Sequence, residues 1–395
     1  MTRIIDFLLE IWDRIMRLLG LDRITKRGRA QVFEGRSTLG RIWAFARPAL
    51  VILFIVYTGT VIWRFSWIRD FDMSYPQQGM TATAQPVAAG QQLAAAGGTE
   101  STKTCAPSRI VEMQVSLLDQ LVNKNDWVPA SPFYKFGVFG LIDFEDTPFL
   151  DNKASFQLGA LDMLRLMAIE VQDSLGRVRG TSSVDSDLQG AQSRLRINER
   201  AWVFNNPFDR RLATFTSSAA GSYRGAMGLF ERYNARLAAC DALFDARADN
   251  LFSLLSRMSA DLGSMSERLA QRSGGEAWDP ETKAFIPSQG DGNDRGWFDM
   301  RGDNLFHVAR GRLYVLHGLL QGTRADFAEV IKTRDLADVW DRMEAHVAEA
   351  AVLNPMVVSN GRSDGTFAPD HLAVMAGFVL RARANMVELR SILDR

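Results

Sequence analysis

Apolar and polar positions follow three different rules along this chain. In the first stretch, "MTRIIDFLLEIWDRIMRLLG", polar side chains fall at 3, 6, 10, 13, 14 and 17, with Ile, Leu, Phe and Trp between them. That spacing predicts an amphipathic helix, which lies in a membrane interface or packs on a partner helix. The basic loop that follows, Arg23 to Arg47, favours the interface. The second rule has no period. "PALVILFIVYTGTVIW", Pro48 to Trp63, is sixteen residues without a charge. Extended by Ile42 to Ala46, and with Arg47 and Arg64 able to snorkel, it predicts one transmembrane helix over 42–64. Trp43, Tyr57, Trp63 and Trp67 supply interfacial aromatics near its ends.

The third rule is helical and starts near Cys105. Phe230, Leu237, Phe244, Leu251, Met258 and Met265, with Ala248, Leu255, Leu262 and Leu269, alternate at spacings of three and four. They predict one long helix over about 222–272, its seam interrupted by Asn234 and Asp241. Leu372, Met375, Val379, Ala382, Met386, Leu389 and Leu393 predict a last helix, with Pro369 in its first turn. Further helices are expected at 108–125, 154–177, 304–321 and 335–351, and the stretch 274–303 reads as loop. The fold class is mainly α: an interfacial helix, one transmembrane helix, then a helical bundle with long helices.

Between the span and the bundle, residues 74–104 are Ala, Gly, Gln and Thr with little to bury, and predict a flexible tether. The expected divisions are therefore 1–41, a cytoplasmic amphipathic helix and basic loop; 42–64, the span; 65–104, the linker; and 105–395, the helical domain. Charge sets the orientation. Residues 1–47 carry ten basic and five acidic side chains, and only Arg64 and Arg69 follow the span closely. The positive-inside rule puts the N-terminus in the cytoplasm and the large domain in the periplasm of a bacterial inner membrane. Asp6, Glu10 and Asp13 interrupt the first apolar run, so the span is expected to be an uncleaved anchor. From Phe71 onward there are 34 basic and 40 acidic residues, with no basic stripe, which argues against nucleic acid as a partner.

Candidate chemistry is sparse. Cys105 and Cys240 are the two cysteines; in an oxidising compartment they permit a disulfide, and two separate thiols remain the alternative. His346 and Glu349 form one H-x-x-E pair, too few for a di-metal bundle, and "DGNDRG" (291–296) lacks the acids of a calcium loop. No metal or cofactor is expected, and no nucleophile signature occurs. The strongest candidate for catalysis is "LIDFEDTPFLDN" (141–152). There Asp143, Glu145, Asp146 and Asp151 alternate with aromatic residues, as a glycan-cleaving site requires. A solvated acidic loop has the same composition. "RADNLF" (247–252) and "RGDNLF" (301–306) share five of six letters. The likeness does not extend beyond them, and the first copy is expected inside the long helix while Asp303 caps a new one.

With "NDWVPASPFY" (125–134), "FLDNKASFQLGAL" (149–161), "RGTSSVDSDLQGAQ" (179–192), "RADNLF" and the block at 357–393, the chain resembles a family of uncharacterised proteobacterial inner-membrane proteins, a domain of unknown function. The resemblance implies a bacterial inner-membrane address and brings no catalytic residue. Two classes of function follow. One is a membrane-anchored helical scaffold or binding module, with the lipid bilayer and an envelope protein as partners. The other is a periplasmic cell-wall glycan hydrolase built on the acidic–aromatic loop.

Overall fold

The computed structural model describes residues 38–67, 71–74, 105–131, 134, 137, 150–176, 184–201, 218–273, 276–279, 281–287, 300–361 and 369–395. The chain divides into two compact units, 1–69 and 70–395. The amphipathic helix expected before residue 38 lies outside the described residues.

The first unit contributes α1, Thr38–Trp67, whose described side chains run from Ala49 to Trp63. Seven consecutive large apolar residues, Leu50 to Val56, are all exposed, Leu53 at 60% and Ile55 at 62%. Among the described residues, no helix is long and apolar enough to cross a membrane.

The second unit is mainly helical. Its elements are α2 (Arg109–Asp119), α3 (Asp151–Glu170), α4 (Ser186–Leu195), α5 (Ala219–Ala238), α6 (Ala248–Arg272), a hairpin of β1 (Glu276–Asp279) and β2 (Ala284–Pro287), α7 (Met300–Asp326), α8 (Ala328–Thr333), α9 (Ala337–Val352) and α10 (His371–Leu393). Turns of π-helix, Gln120–Lys124 and Val171–Leu175, end α2 and α3. The hairpin pairs Glu276 with Pro287 and Asp279 with Ala284, inside a stretch expected to be loop.

α7 is the hub. It packs against α2, α3 and α9, and more lightly against α6 and α10. Phe306, Ala309, Leu313, Leu316, Leu319 and Leu320 are completely buried along it. The crossing with α3 is closer than side chains allow. A Cβ on Gly159 would overlap the Val308 carbonyl, and one on Gly311 would overlap the Phe156 carbonyl. Only glycine lets two helix backbones meet this way. At its far end α7 meets the start of α2. Asp326, fully enclosed, accepts hydrogen bonds from the Ser108 hydroxyl (2.7 Å) and from the Arg109 and Ile110 N–H groups (2.8 and 3.0 Å). It thereby satisfies donors that a helix start leaves without intrahelical partners.

The single helix expected over 222–272 is two helices, α5 and α6. α5 ends in a Schellman turn: the Cys240 N–H donates to the Leu237 carbonyl and the Asp241 N–H to that of Arg236. Cys240 takes the left-handed position at φ 61°, where glycine is usual, and its sulfur is bonded to Cys105. No Gly or Pro marks the break, so the apolar spacing ran straight through it. Asn234, which interrupted the predicted seam, is a buried clasp. Its Oδ1 accepts from the Ser108 N–H and its Nδ2 donates to the Ser108 carbonyl. The two near-repeats therefore have similar contexts after all. Arg247 is the N-cap of α6, and "RGDNLF" lies in the first turns of α7, which starts ahead of Asp303 rather than being capped by it. The cap of α10 is Asp370, whose carboxylate accepts from the Ala373 N–H; Pro369 precedes it.

The compact unit also begins earlier than the expected Cys105. Phe71, placed in the linker by its neighbours' composition, is 7% exposed and stacks on Phe156 with centroids 4.2 Å apart. The Tyr314 hydroxyl donates to the Asp72 carbonyl at 2.7 Å and also touches the Gln120 side chain. Burying one phenylalanine this way contributes about 2–3 kcal/mol.

Candidate functional site

The glycine crossing sets up a cleft beside it. Because α3 and α7 touch there, the first turn of α3, the Phe71 segment and one face of α7 converge with the segment after α9. They enclose about 280 Å³ lined by Phe71, Lys153, Phe156, His307, Arg310 and Met356, together with Asn152, Asn354 and Pro355. Phe71 and Phe156 form the apolar floor, and Tyr314 lies behind them at 5.7 and 5.5 Å. Cations sit on this aromatic pair: Lys153 Nζ is 4.6 Å from the Phe71 centroid and the Arg310 guanidinium 5.7 Å from that of Phe156. Arg310 is also a brace. Its Nε donates to the Ala351 carbonyl (3.1 Å) and a terminal nitrogen to Asn354 Oδ1 (2.8 Å).

Beside the cleft lies a small titratable cluster. His307 Nε2 is 3.3 Å from Asp303 Oδ1, one helical turn away. Asp151 is buried at the start of α3, where one carboxylate oxygen accepts from the Asn152 N–H at 2.9 Å. Burial pushes the Asp151 carboxyl above its usual range, the Asn152 N–H opposes this, and Asp303 nearby adds to the rise. Such a group can hold or pass a proton. Among the described residues, no group of three or more His, Cys, Asp and Glu could hold a metal ion.

Asp151 is the one member of the predicted acidic–aromatic set within the described residues; Asp143, Glu145 and Asp146 lie outside them, as does "DGNDRG". His346 Nδ1 stands 3.6 Å from Glu349 at the protein surface. Cys105 and Cys240 are joined, with Cα atoms 5.5 Å apart. Asp303, His307 and Arg310 were not singled out as a set in the sequence. Their spacing of four and then three was available there and places all three on one face of a helix.

Two other places invite a chemical reading. Ser359 Oγ lies 3.1 Å from His371 Nδ1, the outline of a nucleophile and its base. The proton count argues otherwise. That nitrogen accepts the Ser359 N–H (3.0 Å), so its lone pair is engaged, and the hydroxyl donates to the Pro369 carbonyl (2.7 Å). Asp370, next in sequence, accepts from the Ser273 hydroxyl, and Asn360 donates to the Arg272 carbonyl. The cluster ties the end of α6 to the start of α10. The second place is a groove of about 450 Å³ between α2 and α5, lined by Val115, Ala235 and Ala238 and by Glu112, Asp119 and Glu231. Glu112 is paired with Arg109 on its own helix.

A family model described as "Uncharacterized protein conserved in bacteria (DUF2333)" matches residues 143–395. The chain belongs to the DUF2333 family. No curated protein and no solved structure matches it. The DUF2333 region contains every side chain lining the cleft except Phe71, and it contains α3 through α10. α1, α2 and Cys105 precede it.

Proposed function

We propose that this DUF2333 protein is a single-pass, membrane-anchored binding or scaffold module of the bacterial envelope, with its N-terminus in the cytoplasm and its helical body in the periplasm. The observation that carries the reading is α1. Seven large apolar side chains in a row stand exposed on it, covering every side of a helix. A helix apolar all round is stable when protein or lipid covers it. The Thr60 hydroxyl returns its hydrogen bond to the Val56 carbonyl at 2.8 Å, as hydrocarbon surroundings demand. Apolar sequence on both sides of the described stretch brings the run to about the 20 residues a bilayer needs. The flanking charge gives the orientation.

Binding rather than catalysis is favoured by how the polar groups are engaged. Arg310, Asp326, Ser359 and Asp370 are each committed to backbone groups that hold helices together. Topology is tested with a reporter active only in the periplasm, fused after Arg395: activity is expected, and activity of a cytoplasmic reporter alone refutes the reading. The module is tested by replacing Asp143, Glu145, Asp146 and Asp151 singly with the amide. Each variant should keep most function in cells at normal abundance. Loss in two of them, with folding intact and cell-wall fragments altered, selects the glycan hydrolase instead.

A further inference from the structure

We infer that the outer face of α10 is a self-association surface, through which two copies of this chain pair in parallel as a short coiled coil. α10 carries two apolar seams. The inner one, Leu372, Met375, Val379, Ala382, Met386 and Leu389, is buried against α6 and α9. The outer one is Ala373, Gly377, Leu380, Ala384, Val387 and Ser391, spaced four, three, four, three and four. That alternation is the seam of a coiled coil, and no charged residue interrupts it. Leu380 and Val387 are 48% and 45% exposed, and a Cβ on Gly377 would meet nothing within 4 Å. Single apolar residues on a surface need no explanation, but a continuous uncovered seam calls for another helix. The seam belongs to the helical body, so the inference stands apart from the anchoring reading.

Charge on the two flanks selects a second copy as the occupant. With Gly377, Ala384 and Ser391 at the a positions and Leu380 and Val387 at d, Arg383 and Arg390 fall at g, Arg381 and Glu388 at e. A parallel pair sets each g residue against the e residue five positions further on in the other helix. Arg383 then meets Glu388 of the second copy, and the twofold axis makes the same pair again. Both side chains are exposed. Glu388 already has Arg342 of α9 at 3.3 Å, a surface pair in which each side chain is about half exposed, so a second cation can join it. Arg390 lies over the Phe252 ring of α6 in its own chain. An antiparallel pair sets g against g, and arginine then meets arginine in either register. Leu at d suits a parallel two-stranded coil, and small residues at a let the two helices come close.

The test uses the full chain in a neutral detergent, where topology has no bearing on the result. Cys105 and Cys240 are bonded to each other, so Ala384→Cys introduces a single free thiol. Gly377→Cys and Ser391→Cys repeat the measurement along the seam, and Lys332→Cys on α8 is the control. Under mild oxidation the three seam variants should form disulfide-linked dimers several-fold faster than the control. Arg383→Glu or Glu388→Arg, added singly to Ala384→Cys, should slow that linkage several-fold. The two together exchange the signs of the pair and should return the rate. The urea midpoint should not move in any of the three, since both side chains are at the surface. Linkage at 384 without linkage at 377 and 391 overturns the parallel pairing. Linkage at 332 as fast as at 384, or a double reversal that fails to recover, overturns the surface itself. A seam thiol that stays monomeric yet resists maleimide in cells also overturns it, in favour of a different protein on this face.

Discussion

α1 and α7 are both long helices, and each contradicts its own composition. α1 is nearly pure hydrocarbon from Leu50 to Val56 and is exposed. α7 carries four arginines and two histidines in 27 residues and forms the centre of the body. The difference shows that burial follows from partners and fit, with apolar content as one contribution. On α7, Arg310 is 9% exposed because carbonyl and amide oxygens receive it. Arg312 donates to Asp162 and Asp261 at 2.7 and 2.6 Å. The Thr323 hydroxyl returns to the Leu319 carbonyl, and Asp326 caps another helix. In each of these four side chains a local partner offsets part of the desolvation. On α1 the Thr60 hydroxyl returns to the Val56 carbonyl of its own helix, an arrangement compatible with the proposed membrane anchoring.

One substitution made on both helices breaks the comparison most sharply. Leu316→Lys puts an amine at a completely buried position of α7 with no acceptor prepared for it. An unpaired buried charge costs about 4 kcal/mol or more, a large part of a typical domain's stability. The body should fail to accumulate, or should lose its cooperative urea transition. Leu53→Lys on α1 should leave that transition unchanged and weaken membrane retention in carbonate extraction by about 3 kcal/mol. Equal losses of folding in the two variants would show that α1 is packed into protein.

The glycine crossing gives the next effect. Gly311→Ala drives a methyl group into the Phe156 carbonyl, and neither backbone can yield without moving a helix. A loss of about 3 kcal/mol is expected, near the upper end for overpacking, read as a lower urea midpoint. The cleft should open at the same time, since Phe156 and Arg310 face each other across that contact. A midpoint within error of the parent would mean that α3 and α7 do not cross there.

Much of this was legible beforehand, and the rest had physical reasons for hiding. The apolar seams of α6 and α10 were legible because one face of each packs on helices: Leu251, Leu255, Met258 and Leu262 on α6, Met375, Val379 and Met386 on α10. The α5–α6 break was not, because Cys240 performs a turn that glycine usually announces. Phe71 was hidden by its surroundings: one aromatic residue ahead of a long Ala- and Gly-rich stretch looks like linker until a slot is found for it. The glycines of α3 and α7 looked like weak points in helices, since their value lies in a contact between residues about 150 positions apart. The site was least legible. Its side chains come from Phe71, α3, α7 and the segment after α9, and no local spacing unites them.

Acidity separates the hub from the rest by a smaller amount. Burial raises the Asp326 carboxyl to about 6, against three hydrogen bonds that favour the charge. The folded form therefore binds the proton more tightly than the unfolded chain does. Between the unfolded value and about 6 the native state holds more protons, so stability falls as pH rises through that window. Lowering the pH from 7 to 5 should return about 1 kcal/mol from this group. Glu170, also raised by burial, works in the same direction. His317, lowered by burial, works against them: its contribution is lost as pH falls below the unfolded histidine value. Asp326→Asn isolates the first effect. Urea midpoints measured at pH 5 and pH 7 should lie closer together in the variant; an unchanged gap would mean Asp326 stays ionised across the range.

The smallest effect should have the opposite sign to the glycine loss above while using the same chemical change. Gly377 lies in the first half of α10, and a Cβ built there meets nothing within 4 Å. The methyl group of Gly377→Ala has no neighbour to displace. What changes is the unfolded chain, which loses some of glycine's conformational freedom, and the helix, which gains a better former. A gain of about 0.5–1 kcal/mol is expected, seen as a slightly higher urea midpoint with an unchanged slope. The paired measurement matters more than either value alone. Two Gly→Ala changes in long helices of one body share their propensity gain, so the difference between them isolates the overlap at the α3–α7 crossing. Were Gly377→Ala to destabilise as Gly311→Ala does, the outer face of α10 would be covered by something that the free body lacks.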